Sequence, residues 1–117
     1  MVASLLVVDD EPAIRQLVKQ VLERGGHRVT ECSDGEEAGG ELERGAFDLV
    51  ISDLSMPKMT GRELAQRLAR DRPELPIVLM GGVVDSNVAG LGVRVLTKPF
   101  GRQDLVKAIE AVRRPPG

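Results

Sequence analysis

Tryptophan and tyrosine are absent from this sequence and phenylalanine occurs twice. A stacking platform for bases or flavins would therefore rest on Phe47 and Phe100 alone. The single cysteine excludes an intrachain disulfide framework and any Cys-rich zinc site, and the single histidine excludes every site that needs two. A large excess of positive or negative charge is also lacking. Sixteen Lys and Arg against eighteen Asp and Glu leave −2, with no broad attraction to nucleic acid or an anionic membrane. The longest nearly apolar run, Leu75 to Val84, is ten residues and contains Pro76, Gly81 and Gly82. A membrane span needs about 20. No basic stretch precedes the first apolar run, and Asp9, Asp10 and Glu11 follow it, unlike a secretory signal. The reading is a cytoplasmic protein in which Cys32 is a free thiol.

What is present is an ordinary globular balance, 42% apolar and 29% charged over 117 residues, which suits one domain with a real core. Apolar runs alternate with helical patterns. Ala3 to Val8 reads as a strand buried on both faces. Pro12 fits a first helical turn, and Ile14, Leu17, Val18, Val21 and Leu22 form an amphipathic stripe that Gly25-Gly26 ends. Arg28 to Cys32 reads as a short buried strand. Ser33 and Glu36 have capping-box spacing for a second helix, which Gly39 and Gly40 weaken by about 1 kcal/mol each. Phe47 to Ser52 is a third strand, and Thr60 to about Arg70 a helix. Leu75 to Met80 and Val93 to Leu96 are the last strands. Arg102 to Arg113 is a final helix with Leu105, Ile109 and Val112 inward. The expectation is an α/β fold, a doubly wound, flavodoxin-like five-stranded parallel sheet in order 2-1-3-4-5 with helices on both faces. Only Gly81 to Gly92 separates the fourth and fifth strands, so the crossover helix there is short or missing.

In such a sheet ligands bind beyond the carboxyl ends of the strands, at the switch point between the first and third. The first strand runs into Asp9-Asp10 and the third into Asp53. A lone Asp at a strand end is ordinarily a capping residue. Three converging on one cleft repel one another unless a cation intervenes, and oxygen-only ligands favour Mg²⁺. Lys98, after the fifth strand, reaches the same rim. A carboxylate nucleophile, a divalent ion and an ammonium are the parts that phosphoryl transfer needs. Glu11 reads as a helix-start charge favoured by the dipole. His27 reads as a solvated loop residue and Cys32 as core packing. Met56 and Met59 read as packing beside the acidic loop. Arg102, Lys107, Arg113 and Arg114 read as exposed helix charges able to pair across a dimer interface.

Val7-Val8-Asp9-Asp10-Glu11, Ile51-Ser52-Asp53-Leu54-Ser55-Met56-Pro57-Lys58-Met59-Thr60-Gly61 and Leu96-Thr97-Lys98-Pro99-Phe100 together resemble the receiver domain of two-component response regulators. The resemblance covers residues 1–114, leaving 115–117 as a linker or cut end. It implies that Asp53 is the phosphoacceptor, taking a phosphoryl group from a histidine kinase or phosphotransfer domain. Asp9 and Asp10 then bind Mg²⁺ or Mn²⁺ with Asp53, and the backbone carbonyl of Ser55 completes the metal site. Lys98 contacts the phosphate, and Lys98–Pro99 is a cis peptide bond. Pro57 and Gly61 shape the loop after the acceptor, Gly61 by permitting a positive φ. An effector domain or a homodimer would receive the signal, with no direct nucleic-acid contact. The chain would not be an enzyme beyond assisting its own phosphorylation and dephosphorylation.

Two departures from the family pattern stand out. Gly81 takes the place of the Thr or Ser that bonds the phosphoryl oxygen, and Val95 that of the switch aromatic. The fourth helix is also shortened. Ser55 and Val83 hold the positions that tune acyl-phosphate lifetime, and Val83 cannot orient a water. The competing reading is a pseudo-receiver that binds a protein independently of phosphorylation. A flavin or nucleotide carrier is disfavoured by the lack of a Gly-rich phosphate loop. An aspartyl phosphatase is disfavoured because Asp53-Leu54-Ser55 lacks a second Asp as general acid.

Overall fold

The computed structural model describes residues 3–54, 60–81, 94–97 and 100–113. The expected crossover helix between the fourth and fifth strands, the side chains of Val112 and Arg113, and the segment from Arg114 to Gly117 lie outside the described residues. Nine elements follow one another within them: β1 (Ser4–Val8), α1 (Pro12–Arg24), β2 (Arg28–Cys32), α2 (Gly35–Arg44), β3 (Leu49–Asp53), α3 (Gly61–Asp71), β4 (Ile77–Gly81), β5 (Arg94–Thr97) and α4 (Arg102–Arg113). The five strands form one parallel sheet in the order β2-β1-β3-β4-β5, as the alternation of patterns implies.

Period-two side-chain alternation divides the core into two layers. Leu6, Val8, Val50 and Leu79 point to the face covered by α2 and α3, where they meet Ala38, Leu42, Leu64, Ala65 and Leu68. Leu5, Val7, Leu49, Ile51, Val78 and Met80 point to the other face, where Val18 and Leu22 of α1 and Leu105, Ala108 and Ile109 of α4 cover them. Burial of each large aliphatic side chain stabilises the fold by about 1.5–3 kcal/mol. Every residue of β3 is buried, which makes it the rigid axis on which Asp53 sits.

Local chemistry sets the helix ends. Pro12 occupies the first turn of α1, and Gly26 ends that helix with φ 89°, a conformation that favours glycine. Thr60 and Glu63 form a reciprocal capping box at the start of α3, where the Thr60 cap contributes about 1 kcal/mol. At α2 the cap is Asp34 rather than Ser33: its Oδ1 accepts from the Glu37 amide at 2.8 Å, while Ser33 Oγ donates to Glu37 Oε2. The backbone path places Asp34 at the cap, and its carboxylate adds negative charge at the positive end of the helix dipole.

Several sequence expectations shift. β3 starts two residues later than Phe47 and includes Asp53. Its approach is pinned by Asp48, whose amide donates to the Ser4 carbonyl and whose Oδ2 accepts from the Ser4 amide. β4 starts at Ile77, just past Pro76, which has no amide to give the ladder. β2 is an edge strand in which only Cys32 is buried, not a buried strand. Leu17 is 47% exposed, because the apolar stripe of α1 is wider than the surface the sheet offers it. His27 is half-buried, and its Nδ1 accepts from the Ala3 amide at 3.3 Å, so it is a structural residue of the sheet's amino-terminal rim.

Candidate functional site

β1 and β3 are neighbours, with Val8 in register with Ser52. The next residue of each strand path is therefore a carboxylate: Asp9 after β1 and Asp53 at the end of β3. The turn into α1 adds Asp10 and Glu11. One carboxylate oxygen from each of Asp9, Asp10, Glu11 and Asp53 lies within 4.8 Å of the others. Asp9 and Asp53 are buried and Asp10 and Glu11 exposed, so the cluster has a buried floor and an open rim. The strand order thus brings together Asp9, Asp10 and Asp53, the carboxylates that the sequence points to.

Glu11 joins them, beyond its expected part as a helix-start charge. It is the N-cap residue of α1 but makes no side-chain cap, which leaves its carboxylate directed to the cluster. The signal available in the sequence was three consecutive acids after a buried strand.

Asp9 is held from three directions. Its amide donates to the Cys32 carbonyl at 3.1 Å, its Oδ1 accepts from the Glu11 amide at 2.9 Å, and its carbonyl accepts from Arg15 Nη1 at 2.8 Å. Arg15 Nε also reaches Glu31 Oε1 on β2 at 3.3 Å, and Lys19 Nζ reaches Glu31 Oε2 at 3.1 Å. The Glu31 carboxylate raises the Lys19 ammonium above its ordinary pKa. Beneath the site, burial first and the acids of α2 second push the Cys32 thiol up to about 12, so it stays protonated and unreactive.

Asp53 leads into α3 through a tight approach. The Leu54 amide donates to the Met80 carbonyl and the Gly61 amide to the Leu54 carbonyl. A Cβ at Gly61 would collide with the Asp53 carbonyl and come 2.9 Å from Leu54 Cα. The expectation that Gly61 serves by a positive φ is corrected: among the described glycines only Gly26 has one, and Gly61 is required by close backbone approach.

The β4–β5 side differs in character. Gly81 ends β4 in register with Thr97, and Val95 lies in register with Leu79. Among the described residues, a neighbour occupies the place of the missing side chain at Gly81. A Cβ there would lie 2.5 Å from Leu54 Cδ1, so the residue after Asp53 already fills that space. Leu54 and Val95, both half-buried, pack against the same core layer. Ser55, Lys98 and the Lys98–Pro99 bond lie outside the described residues, as do Met56, Pro57, Met59 and Val83.

The donor set consists of carboxylate oxygens alone, which fits a hard divalent cation of the Mg²⁺ type and not a soft metal. Among the described residues no helix is long and apolar enough to cross a membrane.

Comparison with known proteins agrees with this geometry. A family model described as the response regulator receiver domain matches residues 5–110. The probable transcriptional regulatory protein TcrX of Mycobacterium tuberculosis is 33% identical over 97% of this chain and 51% of its own length. The structure of the chemotaxis response regulator CheY4 of Vibrio cholerae aligns with TM-score 0.88 and 31% identity, covering 96% of this chain and 99% of that one. The response regulator TrrA of Thermotoga maritima, solved in complex with Mg²⁺ and BeF, aligns with TM-score 0.86 and 30% identity over 94% of this chain and 98% of that one. The chain spans about half the length of the first curated relatives it matches.

Proposed function

The chain belongs to the response regulator receiver-domain family, and from that premise we propose that Asp53 accepts a phosphoryl group from the phosphohistidine of a histidine kinase or phosphotransfer domain. The observation that carries this reading is the set of four carboxylates at the switch point, with Asp53 at the end of the middle strand. In the transfer, an Asp53 oxygen bonds to phosphorus as the phosphorus–nitrogen bond breaks. An acyl phosphate forms and the imidazole leaves.

Asp9, Asp10 and Asp53 would hold Mg²⁺ or Mn²⁺, with the Ser55 carbonyl as a further ligand and Glu11 adding charge at the rim. Such an ion, when bound, neutralises phosphoryl oxygens that would otherwise be repelled by the carboxylates. Lys98 supplies an ammonium to one remaining oxygen. Asp9 orients the site because its backbone and side chain are both fixed, and Asp10 tunes it from the solvent side. The receiver unit runs from residue 1 to 114. It assists only its own phosphorylation and dephosphorylation, works in the cytoplasm, and passes its state to an effector domain or a second copy without touching nucleic acid itself. The acidic cluster counts against the pseudo-receiver alternative, since a plain binding module has no use for four converging carboxylates.

Incubation with a cognate kinase or acetyl phosphate should place one alkali-labile phosphoryl group on each chain, and Asp53→Asn should abolish it. Equal labelling of Asp53→Asn would overturn the assignment.

A further inference from the structure

Arg15 is engaged in two directions at once. Nη1 donates to the carbonyl of Asp9 at 2.8 Å, and Nε meets Glu31 Oε1 at 3.3 Å. The first contact is to backbone, so it does not neutralise a carboxylate of the cluster. It fixes the peptide that leads from Asp9 to Asp10. The second contact ties that fixation to β2, the strand in register beside β1, where Val7 pairs with Glu31. The Arg15 side chain is 21% exposed, so solvent only partly screens these contacts. Its planar fork serves two acceptors, which the single ammonium of lysine cannot match in geometry.

We propose that Arg15 is a positioning residue for the divalent cation: held by Glu31, it clamps the Asp9–Asp10 peptide so that both carboxylates stay aimed at the ion. The inference rests on the reading of Asp9 and Asp10 as metal ligands and extends it to a residue outside the acidic cluster. Groups that orient ligands without touching the metal commonly change metal affinity by about 10–100-fold when removed. The sign separates this role from simple electrostatics. Arg15 is a cation beside a cation site, so loss of its charge alone would tighten Mg²⁺ binding. Loss of the clamp weakens it. Lys19 is the matching control, since it carries the same charge and pairs with the same Glu31.

Mg²⁺ titration of the full chain, followed by NMR shifts of the Asp10 and Glu11 amides, decides the question, with thermal unfolding of each variant recorded in parallel. Arg15→Gln should weaken Mg²⁺ binding about tenfold. Lys19→Gln should leave it unchanged or slightly tighter. Arg15→Lys should fall between the unaltered chain and Arg15→Gln. Unchanged or tighter binding in a folded Arg15→Gln chain overturns the proposal, as does an equal loss in Lys19→Gln. If Arg15→Gln does not fold, Glu31→Gln tests the same clamp. It keeps an acceptor for Arg15 but removes the ionic hold, and it should weaken Mg²⁺ binding in the same direction by a smaller factor. Unweakened binding there overturns the proposal. Mg²⁺ binding by the unaltered chain that ignores Asp10→Ala would instead overturn the reading of the site itself, a result distinct from any effect of Arg15.

Discussion

The two halves of the sheet's carboxyl edge are built on opposite principles. Beyond β1 and β3, four carboxylates converge, and charge, backbone hydrogen bonds and the Arg15–Glu31 pair hold them. Beyond β4, the strand ends in a glycine whose missing side chain is replaced by Leu54, and Val95 of β5 packs against the same apolar layer. The acidic half holds the carboxylates to which the proposed function assigns acceptance of a phosphoryl group. The β4–β5 half carries glycine at residue 81 and valine at residue 95, so under the proposed function neither a hydroxyl nor a ring stands there to sense it. A bound group shifts a conformational equilibrium only through contacts that differ between the two states. Under the proposed function, receiving the phosphoryl group and reporting it would rest on different parts of the sheet edge, and among the described residues this chain keeps the carboxylates of the receiving part.

The largest expected effect lies in the acidic half. Excess chelator should reduce labelling by acetyl phosphate by about tenfold or more, and Asp10→Ala should weaken Mg²⁺ binding by at least about tenfold, because affinity follows the ligand charge count. Labelling that proceeds unchanged in chelator would break the contrast by making the carboxylates incidental.

Next comes the joint between the halves. Gly61→Ala should destabilise the domain by about 3 kcal/mol, read by urea unfolding, since its Cβ meets backbone that cannot rotate away. A smaller cost, within about 0.5 kcal/mol as at ordinary surface positions, would show that α3 is free to move off Asp53.

A moderate effect is expected at β4. Gly81→Thr should cost about 1–2 kcal/mol through collision with Leu54. In a Leu54→Ala background that cost should fall by about 1 kcal/mol, a coupling measurable by a double-mutant cycle. Additive effects would mean that Leu54 does not occupy the vacated space.

The smallest signal sharpens the comparison most. Beryllofluoride with Mg²⁺ should shift the amides of Asp9, Asp10, Asp53, Leu54 and Gly61 strongly and those of Gly81, Val95 and Leu96 weakly. Strong shifts at Gly81 and Val95 would reveal a reporting device that needs neither a hydroxyl nor a ring.

Much of this is legible in the sequence. The continuous apolar runs identify parallel strands buried on both faces, and the intervening 3.6-residue stripes identify the helices, so strand order follows from few alternatives. The acids at the ends of the first and third runs are legible for the same reason, because strand ends can be read from hydrophobicity. The α2 cap was less so: Ser33 and Asp34 are both good caps, and only the backbone path selects Asp34. The role of Gly61 is not legible, because a glycine's sequence signal does not distinguish positive φ from close approach, and here the neighbour is the Asp53 carbonyl.

The sequence by itself determined the elements, the sheet order and the presence of Asp9, Asp10 and Asp53 at one edge, since each rests on periodicity or on chain-local punctuation. Tertiary structure alone decided that Glu11 joins the cluster, that Arg15 reaches the Asp9 carbonyl while Glu31 holds it, and that Leu54 fills the space over Gly81. These depend on directions of side chains and on approaches between different strands and helices, which hydrophobic periodicity does not encode.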